Sequence, residues 1–509
     1  MYNNPRLSLF IQPVVLVFTL LVLTVAWTGF YVGGDGVKFY LAAKEWLEAF
    51  PPDITREGAE RLGVILPLAA SLALLGDSEF SAILPTSLYY IFFILFIAYA
   101  LSRLTDSVTV IIACALLASV PVIVFNAVTP SSDMANLLYA ALSFFFFYVA
   151  LNHERRNMML YWSGFFVGLE FISHTQAVAL LLFYGILFLA GYRIERKIYL
   201  YMALGFMTVV LAEMVYYIFT GYNPFYHFIY ILQSTHAADR FEGPPPEVGG
   251  IDNAGNLYIW PPINPILLTL VTQKYGLLYY LLYPALWWII RGRTIRDEAT
   301  TQLLRLLVAL GVIWCLFALI ALSQIKLYAR YYLAATCCFF IVGVFWLRYV
   351  IWPNHKKITI VTVLSVLAVN FLCIEVENKE PRFGERALLE YLAVSNGQIF
   401  TDLATARYAK YFCRWEKIDC SGILIGEPTP GSMYFLNPNN STVSPDPQWR
   451  QIWRLEQPRK WAGRIITSLG LESIVPGSIF RRLNQPNKAV SVYAIPEQAS
   501  GYSNRQVVK

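Results

Sequence analysis

Charged residues are scarce in this 509-residue sequence: Asp, Glu, Lys and Arg make up 14% of it, where soluble domains carry about 25%. With 57% hydrophobic residues and a mean hydropathy of +0.51, that scarcity excludes an ordinary soluble globule and points to a polytopic membrane protein. The net charge of +6 is not gathered into a basic cluster interleaved with aromatics on a soluble segment, which argues against a nucleic-acid interface. Cysteine is also sparse, and its seven copies show no metal-ligand spacing. Cys114, Cys315, Cys337, Cys338 and Cys373 fall inside apolar runs, where a thiol is a small hydrophobe. Short internal repeats and low-complexity tracts are absent. So is a small-x-small cleavage site after the apolar run Leu9 to Trp27, which is too long for a signal-peptide core and reads as a retained first span.

What is present is long apolar stretches. About twenty such residues cross a bilayer, and spans are expected near 9–29, 82–102, 107–128, 133–151, 158–174, 177–192, 198–220, 275–290, 303–323, 332–350 and 358–375, eleven in all. Aromatics at 16% suit the two membrane interfaces. With a cytoplasmic N-terminus, the inside loops hold Arg103, Arg155, Arg156, Arg193, Arg196, Lys197, Arg291, Arg293, Arg296, Arg305, Arg348, Lys356 and Lys357. The short outside turns near 129–133 and 174–176 hold no Lys or Arg, and 221–263 holds only Arg240. That asymmetry is the positive-inside pattern.

The sequence therefore divides into a membrane domain, 1–375, with outer-face loops at 31–81 and 221–274, and a soluble extracytoplasmic domain, 376–509. Long ordered loops are usually functional. Within the first loop, ERLGVILPLAASLALLG is apolar but short and carries Pro67, so an interfacial helix is expected rather than a span. In the tail, ERALLEYLAV and ATARYAKYF read as helices, and QIFTDL, GSMYFLNP and KAVSVYAIP as strands, together a small α/β domain. Cys413 and Cys420 lie there, on the oxidising side; a disulfide and a pair of unbonded buried thiols are both open. Asn439 and Asn440 each begin a glycosylation sequon.

Ionisable residues collect at the outer ends of the spans: Asp35 and Lys38 after span one, Asp133 opening span four, His174 between spans five and six, and Lys326 and Arg330 before span ten. Each has a structural reading. Asp35 would be a solvated or helix-capping loop residue, and Asp133, after Pro130-Ser131-Ser132, a helix cap favoured by the dipole. Arg330 would snorkel to the interface, and His174 would be a hydrogen-bonded turn residue. Glu170 and Glu213, inside spans, are either buried partners for these cations or functional themselves. Charge beside hydrocarbon is costly, so the collection as a whole points to a site.

Their order along the chain carries more. Asp35-Gly36-Val37-Lys38-Phe39 resembles a D-E-x-R-Y run, with Lys38 in the arginine's place, Phe39 in the tyrosine's and Gly36 where a second acid is usual. Leu66-Pro67-Leu68 through Leu75-Gly76-Asp77-Ser78-Glu79-Phe80-Ser81-Ala82-Ile83-Leu84-Pro85 follows, then Asp133, then Gly168-Leu169-Glu170-Phe171-Ile172-Ser173-His174-Thr175, with Arg330-Tyr331-Tyr332-Leu333 late in the chain. This series is similar to the GT-C superfamily of membrane glycosyltransferases, in the branch of protein O-mannosyltransferases and lipid A aminoarabinose transferases. The family's usual lysine of the span-five turn is His174 here, and its K-P-P-L lysine has no clear match, Arg61 being only nearby.

The resemblance implies a GT-C fold and an inverting glycosyltransferase of the plasma (inner) membrane, bacterial or archaeal. It would move a sugar from a polyprenyl-phosphate donor to a lipid, glycan or protein acceptor on the extracytoplasmic face. Asp35 would be the general base, because a carboxylate can take the acceptor's proton, and Asp133 a second carboxylate. Lys38, Arg330, Arg61 and Lys326 would contact the donor phosphate, since cations stabilise the charge that builds on a leaving phosphate. His174 and Glu170 would touch substrate. No cofactor is required on this reading, and a divalent cation is disfavoured because Asp35 has no acidic neighbour within two residues. The tryptophan-tryptophan-aspartate motif of oligosaccharyltransferases is absent, Trp287-Trp288 continuing into Ile289-Ile290. The alternatives are a transporter of a lipid-linked sugar or other amphiphile, which would place polar groups near the membrane middle, and a catalytically silent binding relative.

Overall fold

The computed structural model describes residues 5–27, 29, 35–52, 58–151, 154–235, 278–293, 295–321, 329–378, 380, 382–395, 397–441 and 443–497. They form two compact units. The first takes in Met1–Trp27, Asp35–Leu74 and Ser81–Ile374, and the second gathers Thr28–Gly34, Leu75–Phe80 and Glu375–Lys509.

The first unit is helical. Its elements are α1 (Pro5–Ala26), α2 (Asp35–Glu48), α3 (Leu62–Leu75), α4 (Glu79–Ser102), α5 (Ser107–Ala118), α6 (Pro121–Ala127), α7 (Asp133–Ala150), α8 (Arg156–Phe171), α9 (Ala177–Leu189), α10 (Tyr199–Phe219), α11 (Tyr226–Thr235), α12 (Leu278–Ile290), α13 (Glu298–Ala321), α14 (Leu333–Trp346) and α15 (Lys356–Glu377). Each of the eleven expected spans falls on helix, but among the described residues only six helices are long and apolar enough to cross a membrane by themselves. Expected span 107–128 is broken instead: α5 and α6 meet at 67°. Pro121 explains the break, because it has no N–H to continue α5 and its fixed φ suits the first position of a new helix. The segment around Pro67 forms α3, a helix of 14 residues, shorter than a span.

Helix α10 shows why such a bundle needs lipid around it. Leu200, Leu204, Met207, Leu211, Val215 and Ile218 recur every three or four residues and are exposed, whereas Met202, Gly205, Val209, Val210 and Tyr217 on the other side are buried. The buried side meets α8 at backbone distance: a Cβ added to Gly205 would lie 2.0 Å from the Tyr161 carbonyl, and one on Gly164 1.8 Å from that of Met202. Small residues at such crossings are the usual route to tight helix packing in lipid.

The second unit joins α16 (Phe383–Val394), α17 (Leu403–Glu416), α18 (Trp461–Ser468) and α19 (Gly477–Asn484) to a mixed five-stranded sheet in the order β2-β1-β3-β5-β4. Its strands are β1 (Ile399–Thr401), β2 (Ile423–Ile425), β3 (Met433–Leu436), β4 (Arg450–Leu455) and β5 (Val490–Ala494). β1 pairs in parallel with β2 and β3, while β5 runs antiparallel between β3 and β4. The three strands and two helices expected from the tail pattern are present; β2, β4, α18 and α19 are additions. Asp402 caps α17 by accepting from the Thr405 N–H at 2.9 Å, and Cys413 and Cys420 form a disulfide. The sequon side chain of Asn440 is engaged, donating to Glu385 at 2.9 Å and to Thr405 at 3.0 Å. The loop residues Asp77 and Glu79, expected to belong with the membrane domain, bond here to Trp415 and Arg386.

Candidate functional site

The first unit brings several of the expected polar residues into contact. Asp35, expected in an outer loop after span one, is the first residue of α2. Its Oδ2 accepts from Arg330 Nη2 at 2.8 Å, and Lys38, one turn along α2, lies 3.9 Å from Oδ1. Asp35 and Arg330 are 295 positions apart in the sequence. Burial of Asp35 works against its charge. The Arg330 guanidinium, by charge and hydrogen bond, together with the charges of Lys38 and Arg61, outweighs it and holds the carboxyl below the usual carboxylate range.

Arg61, at the start of α3, is seated by residues from three segments. Its guanidinium lies over the ring of Phe39 at 5.6 Å, donates to Ser132 Oγ at 2.7 Å and approaches the Glu60 carboxylate at 3.4 Å. Phe39, which takes a tyrosine's place in the resemblance, is thus the platform for a cation.

Asp133 is the first residue of α7 and is 3% exposed. It does not cap the helix. Ser132 occupies the cap position without a side-chain bond, and Ser131 Oγ both accepts from the Asp133 N–H at 3.0 Å and donates to Oδ2 at 2.9 Å. The carboxylate's other oxygen lies 3.5 Å from His174 Nε2. His174 sits in the turn before α9, where its Nδ1 accepts from the Gln176 N–H at 3.1 Å. That bond leaves the ring proton on Nε2, facing Asp133. The charges of Asp133 and Asp35 both act on Arg330, and the guanidinium bonds Asp35.

Gly36 accounts for the departure from the D-E-x-R-Y pattern. It is buried in the first turn of α2, and a Cβ built on it would stand 3.1 Å from the Pro130 carbonyl oxygen and 3.3 Å from its ring. Glycine here lets α2 close on the loop that carries Ser131 and Asp133.

Two expected residues lie elsewhere. Glu170 is fully buried in the last turn of α8, where its backbone carbonyl accepts from the His174 N–H at 2.7 Å, but among the described residues its carboxylate has no hydrogen-bond partner. Glu213 is not a partner of the site's cations: it bonds His227 Nδ1 at 2.8 Å, both side chains being buried. Lys326 lies outside the described residues. Conversely, Ser131, Ser132, Asn136 and Gln176 belong to the site and were legible only as neighbours of Asp133 and His174. Asn136 Nδ2 donates to Gln176 Oε1 at 3.3 Å, while Asp133 Oδ1, Asn136 Oδ1 and Gln176 Nε2 are buried with no hydrogen-bond partner among the described residues. Such groups are costly to bury unless something satisfies them.

Below this polar layer runs an apolar cavity of about 90 Å³ between α4, α7, α13 and α14. Its lining includes Leu137 and Ala334, each four residues along from Asp133 and Arg330, and reaches Leu104 and Leu303 at the other end. Among the described residues, no three His, Cys, Asp or Glu side chains converge to hold a metal.

Residues 64–217, from α3 to α10, match the family model described as dolichyl-phosphate-mannose-protein mannosyltransferase. The structure is similar to ArnT from Cupriavidus metallidurans in the apo state, with a TM-score of 0.52 and 12% identity over 96% of this chain and 97% of ArnT. This chain has the GT-C fold. The same enzyme bound to undecaprenyl phosphate matches the GT-C chain with a TM-score of 0.52 and 11% identity, over 96% of this chain and 99% of that one. The oligosaccharyltransferase AglB of Archaeoglobus fulgidus, in complex with an inhibitory peptide and a dolichol-phosphate, gives a TM-score of 0.51 and 10% identity over 81% of this chain. The GT-C chain spans 64% of that longer protein. No curated protein sequence matches it.

Proposed function

We propose that this GT-C protein is an inverting glycosyltransferase that moves a sugar from a polyprenyl-phosphate donor to an acceptor hydroxyl on the extracytoplasmic face of the membrane. The observation that carries the reading is the meeting of Asp35 with Arg330 at 2.8 Å, near a second carboxylate, with Arg330 and Asp133 each four residues from the lining of an apolar cavity. A phosphosugar on a prenyl chain needs that combination: cations for the phosphate, a base at the reacting carbon and hydrocarbon surroundings for the tail.

On this reading Arg330, Lys38 and Arg61 bind the donor phosphate, with Lys326 a further candidate. Phosphate competes with Asp35 for the Arg330 guanidinium, and releasing that bond raises the proton affinity of Asp35 as the donor arrives. Asp35 then accepts the acceptor's hydroxyl proton while the acceptor oxygen bonds the anomeric carbon. The bond from that carbon to the phosphate oxygen breaks, its electron pair leaves on polyprenyl phosphate, and the cations neutralise the charge. Asp133, Asn136 and Gln176 hold sugar or acceptor hydroxyls through Oδ1, Oδ1 and Nε2, His174 offers its Nε2–H beside Asp133, and Glu170 supports the His174 turn. Cationic side chains fill the role a divalent ion would have, so turnover is expected to survive chelation. The acceptor is a lipid, glycan or protein. The apolar lining of the cavity favours this reading over transport, which calls for polar groups along a path through the bilayer.

The test is a transfer assay in membranes with radiolabelled polyprenyl-phosphate sugars. Asp35→Asn should abolish transfer, a loss of about 10²–10⁴-fold, at normal expression and insertion. Full activity in that variant would sink the proposal.

A further inference from the structure

The second unit begins inside the last turn of α15, at Glu375, and α15 is one of the six helices long and apolar enough to cross a membrane. Within that unit the root of the α18–α19 hairpin is fastened to this helix end. Lys460, just before α18, donates its ammonium to the backbone carbonyl of Glu375 at 3.0 Å and to that of Asn378, and Trp461 Nε1 bonds the Glu375 carboxylate. Val376 packs on Ala462 and Leu483. The hairpin is therefore rooted on the C-terminal end of α15.

Its two helices cross at Gly463, where a Cβ would stand 2.6 Å from the Cα of Asn484, so Ala462, Gly463 and Leu483 face inward. The outer side is apolar. Trp461, Ile465 and Leu469 recur at helical spacing with exposures of 40%, 48% and 65%, and Leu471, Ile474 and Ile479 continue the series, Ile474 at 74%. Scattered exposed apolar residues are normal on a soluble surface; six large ones between positions 461 and 479 are not. Charge on the hairpin is one-sided: Arg459, Lys460, Arg464, Arg481 and Arg482 accompany a single acid, Glu472, over residues 459–484. Lys460 is buried at the root, whereas Arg459, Arg464 and Arg481 are exposed.

We propose that the α18–α19 hairpin is an interfacial membrane anchor. It lies in the headgroup layer of the leaflet from which α15 emerges, with Ile465, Leu469, Leu471 and Ile474 at the acyl boundary and its arginines on anionic lipid phosphates. Apolar side chains beside basic ones on a short amphipathic element are what binding in the plane of an anionic membrane requires, and arginine stems can lie along hydrocarbon while their heads reach phosphate.

The test uses the full-length protein in phosphatidylcholine nanodiscs with or without phosphatidylglycerol, carrying Ile474→p-benzoylphenylalanine for photocrosslinking. The same probe replaces Gln448, exposed on the second unit, as a water-facing control, and Leu364, 60% exposed on α15, as a lipid-facing one. Lipid adducts are expected at 474 and 364 and not at 448. Adding Arg464→Glu and Arg481→Glu should lower the phosphatidylglycerol adduct at 474 by about fivefold per charge. Lipid adducts at 364 but none at 474 would overturn the proposal, as would adducts at 474 to a second copy of the protein. Adduct yields indifferent to the charge reversals would overturn its anionic-lipid part.

Discussion

Gly36 offers a perturbation whose effect follows from three distances. A Cβ there would lie 3.1 Å from the Pro130 carbonyl oxygen, 3.3 Å from the proline Cδ and 3.5 Å from its Cβ, so the loop must yield by a few tenths of an ångström. In Gly36→Ala, helix propensity returns about 1 kcal/mol, while overpacking costs about 1–3 kcal/mol. The unfolding midpoint should therefore fall only slightly. Activity is more exposed, because Pro130 leads into Ser131, whose hydroxyl holds Asp133. A displacement of 1 Å costs about 10²-fold in rate, so a few tenths should cost several-fold. Gly36→Glu, which writes the more familiar acid into the motif, should do worse. Its carboxylate would enter a buried position beside Asp35 and Asp133, at a cost of about 3 kcal/mol or more. Thermal unfolding followed by tryptophan fluorescence, with transfer rates on the same nanodisc preparations, measures both effects. A Gly36→Glu protein that unfolds at the native temperature and transfers at the native rate would refute the packing of α2 on the Pro130 loop, and with it the account of why the second acid is missing.

Three further outcomes are expected. Replacing Arg330 with Gln removes the main charge that lowers the Asp35 pKa, so that pKa rises and the acidic limb of the transfer-versus-pH profile moves to higher pH; a profile that keeps its shape would remove Arg330 from contact with the base. His227→Ala leaves the buried Glu213 carboxylate with only the Tyr217 hydroxyl at 3.4 Å, which costs about 1–3 kcal/mol and should lower the unfolding midpoint of the first unit; an unchanged midpoint would mean that the Glu213–His227 bond contributes no stability. Cys413→Ala with Cys420→Ala opens a small loop whose closure is worth about 2–3 kcal/mol, so the second unit should unfold earlier and lose its response to reducing agent.

Local patterns were readable because their causes are local. An apolar run long enough to span announces itself; among the described residues six helices are long and apolar enough to cross a membrane, or seven if the bent pair α5–α6 is one span. Where a span breaks, the local cause was also present, in Pro121, but its weight depended on helix geometry. The polar site was legible as a set of residues, Asp35, Lys38, Arg61, Asp133, His174 and Arg330, because charge near hydrocarbon is rare enough to count. Its members' partners were not legible. Glu213 could be named among groups for the site's cations and in fact meets His227, since a buried carboxylate pairs with whichever hydrogen-bonding group the packing delivers.

By itself, then, the sequence determined the kind of solvent this chain folds in, the helical character of the described residues before 375, the separate sheet that follows, and the roster of ionisable groups that meet at the candidate site. Hydrophobic length, periodicity and loop charge are properties of neighbouring residues and need no fold to be read. Only the tertiary structure decided that Asp35 meets Arg330 across 295 positions, that Phe39 and Ser132 seat Arg61, that Gly36 is a contact rather than a hinge, and that Leu75–Phe80 belongs with the second unit. Those facts depend on which distant surfaces pack together, and no run of neighbouring residues encodes that choice.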